Sequence, residues 1–255
     1  MAKLKIYFGG PAERAPLCSS DKAPEKWGVY PQPRVFLCGD TGVSVEFGDE
    51  IDPEINRLVR RLYKRLSTGA FSGIIDMGPA YCSLFIRYDP GVCSLERLLC
   101  IIEENLETAG GAGEGFERIV EVPVCYGGEF GPDIGEVANF HGIDEGEVAA
   151  FHAAPLYQVY MIGFILGFPY LGGLDSRLYT PRKKEPGNAP AGSIGIADRQ
   201  SGIYPVASPA GWWIVGMTPL KVFDLLREKP FLFEAGDTVR FRQITREEFE
   251  SYKNH

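Results

Sequence analysis

The sequence predicts an α+β domain, a small antiparallel sheet with two helices, followed by a mainly β domain. In residues 34–108, strand-like segments that alternate with period two are interleaved with two amphipathic helical patterns. The glycine-rich run at 109–115 is typical of a linker. Residues 160–216 then contain ten glycines and six prolines. Short strands with dense turn signals favour a barrel or a sandwich for this second domain.

The bulk composition excludes several classes of partner. The chain has 255 residues and a formal net charge of -8, and an acidic surface repels nucleic acid and anionic lipid. We find no apolar run that approaches the roughly 18 residues of a membrane span and no signal-peptide pattern. The six cysteines are scattered without a C-x-x-C pair, which is typical of free thiols in a reducing compartment. We therefore expect a cytoplasmic protein that binds neither nucleic acid nor membrane.

The elements of the first domain follow from caps and periodicity. Residues 1–33 hold five prolines from Pro11 onward, so we expect an irregular extension. Strands are predicted at 34–38, 43–47, 73–77 and 81–86. Asp52 and Pro53 begin a helix that Gly69 ends, and Ser94 caps a second helix. We place the linker at 109–117.

The second domain is predicted to span residues 118–245. A strand at 119–125 is followed by two short helices at 133–141 and 144–153, the latter with Asp144 and Glu147 at capping-box spacing. A short helix is expected at 220–227 and the last strand at 239–243. Thr245 and Glu248 repeat the capping box and predict a tail helix at 246–255.

The segment 159–174 mixes aromatic residues with glycines at short intervals. Aromatic side chains favour burial, whereas glycines allow sharp bends and close backbone approach. The pattern is therefore suited to a rigid pocket wall, and it equally fits a tightly turned barrel corner with aromatic packing.

Several ordered motifs identify a resemblance to the KipI/PxpB family, also labelled allophanate hydrolase subunit 1-like. They are Val-Pro-Val-Cys-Tyr-Gly-Gly at 122–128, His-Ala-Ala-Pro at 152–155, Gly-Phe-Pro-Tyr-Leu-Gly-Gly-Leu at 167–174, Pro-Ala-Gly-Ser at 190–193 and Gly-Ile-Tyr-Pro at 202–205. The resemblance runs from about residue 34 to 243 and implies that the second domain is a cyclophilin-like barrel.

The resemblance also implies a function. It points to the B subunit of a cytoplasmic hydrolase, the 5-oxoprolinase complex, which opens 5-oxoproline to glutamate with ATP. The implied partners are the A and C subunits, with ATP and Mg bound at the level of the complex and no cofactor site evident in this chain alone. Two alternatives remain: a regulator that inhibits a sporulation-type histidine kinase, and a protein related to urea or allophanate carboxyltransferases.

The sequence departs from the family pattern at a few positions. Leu166 stands where the family usually has proline, and Gly187 stands where an arginine is common. The second change matters more, because arginine is suited to bidentate binding of a carboxylate or phosphate. Arg199 is a candidate replacement for that arginine in space.

Two residues are candidates for catalysis. His152 has a pKa range suited to proton transfer, although a histidine at a helix C-terminus can simply interact with the helix dipole or make an interdomain hydrogen bond. Arg182 follows a proline and is our candidate anion clamp, the alternative being a solvated basic loop. We find no cysteine or histidine spacing typical of a metal site, no G-x-S-x-G and no P-loop.

The candidate substrate-binding residues are aromatic or polar, and all lie in the second domain. Gln200 and Tyr204 flank a glycine turn and are predicted to face the barrel mouth, unless they only pack the turn. The adjacent Trp212 and Trp213 should point to opposite sides of a strand. The full set is Tyr160, Phe168, Tyr170, Ser193, Gln200, Tyr204 and Trp212. We expect these residues to line a rigid cavity that a companion protein completes.

Overall fold

The computed structural model describes residues 5–7, 28–107 and 118–253. The chain divides into two compact units, Met1–Glu114 and Gly115–His255. The predicted linker at 109–117 lies outside the described residues and stays a prediction.

The first unit contains a five-stranded sheet. Its strands are β1 (Lys5–Tyr7), β2 (Val29–Leu37), β3 (Gly42–Gly48), β4 (Ile74–Pro79) and β5 (Ser83–Tyr88). They lie in the order β1-β2-β3-β5-β4. β1 is parallel to β2, and the other neighbouring strands are antiparallel.

Two helices cover this sheet, α1 (Pro53–Thr68) and α2 (Leu95–Glu107). The carboxylate of Asp52 accepts hydrogen bonds from the backbone N–H groups of Glu54 and Ile55, which is the predicted N-cap. Apolar side chains of the helices, such as Ile55 and Leu98, form one core with Val45 and Ile86 of the sheet. The small α+β unit with two helices is therefore confirmed.

The start of this unit differs from the sequence prediction. β2 begins at Val29, within the stretch we expected to be irregular, and the short strand β1 lies there too. Pro31 and Pro33 explain why the pattern was hidden. They occupy a break in register between Val29 and Arg34, where a residue without an N–H costs the ladder no hydrogen bond.

The second unit contains a closed barrel of seven strands, which confirms the cyclophilin-like fold class. The strands of this unit are β6 (Ile119–Tyr126), β7 (Leu156–Ile162), β8 (Pro169–Gly172), β9 (Gly187–Ala189), β10 (Ser193–Ala197), β11 (Gln200–Ile203), β12 (Ser208–Ala210), β13 (Trp213–Met217) and β14 (Thr238–Gln243). The barrel has the strand order β10-β11-β8-β7-β14-β6-β13. The outlying strands β9 and β12 pair with each other.

Three helices accompany the barrel: α3 (Ile134–His141), α4 (Glu145–Ala153) and α5 (Arg246–Lys253). The predicted capping box is complete at α4, where Asp144 and Glu147 satisfy each other's backbone N–H groups. Thr245 and Glu248 do the same before α5. α3 and α4 pack on the barrel core through residues such as Val137 and Val148.

The helix predicted at 220–227 is wrong. This segment forms part of an irregular arm, which we define as residues 221–231, and Phe223 makes an isolated bridge to Phe231. A helix here would need an apolar stripe against the core, yet Leu225 and Leu226 are both exposed to solvent. Among the described residues, no helix is long and apolar enough to cross a membrane.

Candidate functional site

The interior of the barrel is filled with apolar side chains contributed by all seven strands, among them Tyr157, Ile196 and Phe241. The predicted rigid cavity therefore does not lie in the barrel interior. Gln200 and Tyr204 do not face a barrel mouth. On β11, Ile203 joins the interior core, and alternation then places Gln200 and Gly202 on the outer face.

The outer face of β10 and β11 carries a flat floor made by two glycines. Gly195 and Gly202 are directly opposite each other across the two strands. A Cβ atom on Gly202 would lie 2.5 Å from Cζ of Phe168, and one on Gly195 would lie 3.1 Å from Cβ of Trp212. Only glycine leaves room for aromatic rings to lie directly against this part of the wall.

Four rings cover this floor, and we call them the ring cluster: Phe168, Tyr170, Tyr204 and Trp212. Phe168 is central, with its centroid 4.8 Å from Tyr170, 5.0 Å from Tyr204 and 5.5 Å from Trp212. The rings meet edge to face, the arrangement that their quadrupoles favour. The structure thus brings together four of the predicted substrate-binding residues, on the outside of the barrel.

The two tyrosines of the ring cluster stay protonated near neutral pH. Burial raises the pKa of Tyr204 to about 12, and the positive charge of Arg182 only partly opposes this. Burial also raises the pKa of Tyr170, again opposed by Arg182. Both hydroxyls are therefore able to donate a hydrogen bond to an anion held near Arg182.

A strap of residues 180–183 runs beside the ring cluster and is tied to the barrel at three positions. Thr180 accepts a hydrogen bond at its carbonyl from the backbone N–H of Asp198, and its Oγ1 lies 3.1 Å from Nε2 of His141. The carbonyl of Pro181 accepts one from Nε1 of Trp213 at 2.6 Å. The Lys183 ammonium lies 2.5 Å from Oδ2 of Asp133.

Arg182 is the most exposed charged residue of the strap that contacts the ring cluster. Its guanidinium is 5.9 Å from the centroid of the Trp212 ring, and its Nε is 3.7 Å from Oδ2 of Asp198. The side chain remains 61% exposed, so it can exchange these contacts for a ligand. This position suits the anion clamp predicted from the sequence.

Ser193 and Gln200 lie on the same outer face as the glycine floor, and both are buried. The hydroxyl of Ser193 has no hydrogen-bond partner among the described residues. Most buried polar groups are satisfied, so an orphaned hydroxyl needs a reason. A ligand or an ordered water beside the ring cluster would supply the missing partner.

An open apolar groove of about 680 Å³ adjoins the ring cluster. Residues 162–167 line it together with Val206, Phe223 and Phe231. Phe164 connects the groove to the ring cluster, with its ring centroid 5.9 Å from that of Phe168. The aromatic and glycine-rich segment therefore does form the wall of a concave surface.

His152 lies away from this surface, in the barrel core. Its Nδ1 is 2.7 Å from the hydroxyl of Tyr126, and its Nε2 is 2.9 Å from Oγ of Ser201. Burial lowers the pKa of His152 to about 3, so the ring is neutral. Since the side chain is fully buried with both nitrogens occupied, the geometry supports a structural role, and its catalytic role stays a prediction.

Tyr160 is not one of the four rings of the ring cluster, and it packs against Gly172, which lies directly opposite Gln200. Its ring packs over Gly172, where any Cβ atom would collide with it. The side chain is buried, so this geometry corresponds to the core-packing alternative. Trp213 packs toward the barrel core while Trp212 joins the outer ring cluster, as the strand alternation predicts.

A comparison with known protein families finds one whose match extends over both units. The model of the carboxyltransferase domain, subdomains C and D, matches residues 33–233. The chain belongs to the carboxyltransferase subdomain C and D family. In this member of the family, the matched region contains the ring cluster, the strap and every residue that lines the groove.

Curated relatives within this family carry the name of the B subunit of 5-oxoprolinase. The protein from Bacillus subtilis is 40% identical over 226 residues, covering 84% of this chain and 94% of its own. The Haemophilus influenzae protein is 44% identical over 162 residues, covering 63% and 72%. The Escherichia coli O157:H7 protein is 37% identical over 213 residues, covering 82% and 94%.

Solved structures show the same architecture. TTHA0988 is 38% identical with a TM-score of 0.72, and the match covers 80% of this chain but only 40% of that one. PH0987 from Pyrococcus horikoshii is 40% identical with a TM-score of 0.51, covering 84% and 99%. The urea carboxylase of Kluyveromyces lactis shares the fold, at 22% identity and a TM-score of 0.67, over 90% of this chain and 23% of its own.

The binding of ATP and Mg, expected at the level of the complex, stays a prediction for this family member. Across residues 5–7, 28–107 and 118–253, no three His, Cys, Asp or Glu side chains come together in a way that could hold a metal ion. The groove beside the ring cluster is apolar, whereas a nucleotide's phosphates need backbone N–H groups and cations.

Proposed function

We propose that this chain is the B subunit of an ATP-dependent 5-oxoprolinase complex that converts 5-oxoproline to glutamate. The observation that supports this most is the 40% identity to the Bacillus subtilis protein of that name, over 94% of that protein. The Escherichia coli relative of the same name supports it at similar coverage.

Within this proposal, Arg182 binds the carboxylate of 5-oxoproline. A guanidinium matches a carboxylate in charge and in planar geometry. The strap holds Arg182 beside the ring cluster, and the protonated hydroxyl of Tyr170 is close enough to feel its charge. The small five-membered ring of the substrate would then lie against the aromatic edges.

Companion A and C subunits would complete the complex, and we assign the binding of Mg and ATP to them. ATP supplies the driving force for opening the lactam. In this division of labour, the present chain binds and orients the substrate and keeps water from its apolar side.

A second candidate activity is carboxyltransferase-related amide chemistry. A putative urea carboxylase from Emericella nidulans is 33% identical over 105 residues, 37% of this chain. Urea would then replace 5-oxoproline as the substrate of the assembled complex.

Inhibition of a histidine kinase stays a prediction, which a kinase autophosphorylation assay with the purified chain would test.

The test is reconstitution. The chain is co-expressed with the A and C subunits encoded in the same genome, and glutamate formed from 5-oxoproline and ATP is measured with and without it. We expect ATP-dependent glutamate formation only when all three chains are present. An equal rate without this chain would rule out its role in the complex, and turnover of urea alone would favour the second candidate.

Arg182 gives a residue-level version of this test. Arg182→Ala should raise KM for 5-oxoproline by about tenfold or more, because a charge-assisted hydrogen bond contributes about 1.5–3 kcal/mol. Lys184→Ala is the matched control, since Lys184 is an exposed cation two residues away. The same KM in Arg182→Ala and Lys184→Ala would show that Arg182 is not part of the substrate site.

A further inference from the structure

The groove and the arm together form an exposed apolar surface, which we call the apolar patch. Phe164 is 65% exposed and Leu166 is 68% exposed, and both line the groove. Val206 and Phe231 extend the same surface. Isolated exposed apolar residues are common, but a contiguous set around a concave groove is typical of a binding surface.

The backbone of the groove shows that this exposure is built into the loop. Phe164 has a φ of +65°, a left-handed conformation that is unusual for a residue with a large side chain. That conformation costs free energy and here turns an aromatic ring toward solvent, where it gains little from burial within the fold. Backbone strain at an exposed aromatic residue points to a role in binding.

The patch is also preformed. In the loop, the N–H of Gly163 donates to the carbonyl of Phe168 at 3.1 Å. In the arm, the N–H of Asp224 donates to the carbonyl of Pro230 at 2.9 Å, and the Phe223 and Phe231 rings lie 5.2 Å apart. Because these segments are already ordered, a partner would bind with a small loss of conformational entropy.

Residues 221–234, which form the arm and its base, hold three cations and three carboxylates and so carry no net charge. Lys221 and Arg227 both approach Asp224, at 3.7 Å and 4.0 Å, and Lys229 lies 3.7 Å from Glu234. An anionic lipid surface or a nucleic acid would need unpaired cations here. The electrostatics instead match an apolar, uncharged protein segment with a polar rim.

We propose that the apolar patch is the surface on which a companion subunit of the complex docks, through an apolar segment of that companion. This inference rests on the proposed function. It is supported by TTHA0988, where the region similar to this chain makes up 40% of a longer chain. In that relative, a further polypeptide accompanies the same fold, and here a separate chain would take that place.

A partner docked at this patch would also lie next to the ring cluster. Phe164 lines the groove and meets Phe168, the centre of the ring cluster, edge to face. A partner segment seated in the groove would therefore lie one ring away from the substrate surface. This places the companion where it can complete the site that Arg182 begins.

The test uses the full-length chain and the C subunit encoded in the same genome. Phe164→Asn removes the ring and keeps a residue that tolerates positive φ, while Leu166→Glu places a charge on an exposed leucine that lines the groove. The matched control is Phe140→Asn, since Phe140 lies on α3 of the same unit and is 61% exposed. Near-UV circular dichroism confirms that each variant is folded, and calorimetry gives the Kd.

We expect Kd to rise by about tenfold or more in each patch variant, the effect of losing an interface anchor, and to stay unchanged in Phe140→Asn. Wild-type affinity in the patch variants overturns the inference. If the patch variants bind with wild-type affinity and the complex still forms glutamate normally, the proposed function holds and only the docking surface is ruled out. If the wild-type chain does not bind the C subunit, both fail. A concentration-dependent dimer of this chain that Leu166→Glu abolishes would instead assign the patch to a second copy.

Discussion

The imidazole of His152 connects two hydroxyl groups across the core of the barrel. Ser201 donates its hydroxyl hydrogen to the carbonyl of Gly195, so it accepts from Nε2–H of His152. Nδ1 is then left to accept from the hydroxyl of Tyr126. Both ring nitrogens and both hydroxyls are satisfied in the neutral tautomer, and a proton added to the ring would leave two donors facing each other.

This arrangement makes stability depend on pH. The folded-state pKa of His152 is about 3, below the ordinary value of 6.5. Below about pH 6.5 His152 is protonated in the unfolded chain but stays neutral in the folded chain, so the free energy of unfolding falls as pH falls. Between about pH 7.5 and about pH 5.8 this contributes a loss of about 1 kcal/mol.

His152→Gln should remove that contribution, whatever its own cost in stability. The measurement is urea unfolding of both proteins at the two pH values. We expect the wild type to lose about 1 kcal/mol more than the variant. An identical pH dependence in the two proteins would show that His152 titrates normally in the folded state.

At the scale of elements, the sequence predicted best what local chemistry determines. The caps at Asp52, Asp144 and Thr245 identified three helices, because a side-chain oxygen at an N-cap acts on neighbouring residues. The segment predicted as a helix at 220–227 does have a helix-like sequence, since Val222, Leu225 and Leu226 have helical spacing. Only the tertiary structure shows that Leu225 and Leu226 face solvent.

The candidate site was predicted in its residues and missed in its location. Phe168, Tyr170, Tyr204 and Trp212 do meet, but alternation along a strand defines two faces without saying which is the interior. Both faces of β10 and β11 are buried, so the hydrophobic pattern of these strands does not indicate which face is the barrel interior. Val206, Phe223 and Phe231 were not predicted, since their role depends on contacts distant in sequence.

The strap gives a prediction at this scale. Asp133 precedes α3 but does not cap it with its side chain. Its Oδ2 instead accepts from the Ile214 backbone N–H at 2.6 Å and from Lys183 at 2.5 Å. Because the pair is largely buried, losing one partner should destabilise the strap by about 1.5–3 kcal/mol.

Lys183→Met should therefore speed amide hydrogen exchange in residues 180–184 by about tenfold or more, since about 1.4 kcal/mol corresponds to a factor of ten. The protected amide of Lys183, which donates to the carbonyl of Gly211, is the probe. Lys184→Met is the control because Lys184 is exposed. Equal exchange in the two variants would mean that the ion pair does not hold the strap.

At the scale of the whole second unit, closure of the barrel depends on a strand from the end of the chain. β14 lies between β6 and β7, parallel to the first and antiparallel to the second. Its pairing of Thr238 with Ile119 joins residues more than a hundred positions apart. Such non-local pairing forms slowly and only after much of the chain is present, so the carboxyl-terminal residues decide whether the barrel exists.

Two truncations separate this strand from the helix that follows it. A chain ending at Gly236 lacks β14 and exposes the edges of both β6 and β7, so we expect it to aggregate without a native near-UV spectrum from Trp212 and Trp213. A chain ending at Thr245 keeps the barrel but loses α5, whose Phe249 packs 4.5 Å from Phe130 between ring centroids. Removing that buried ring should cost about 3 kcal/mol and leave the near-UV spectrum native. A native spectrum in the shorter chain would show that the barrel can form without β14.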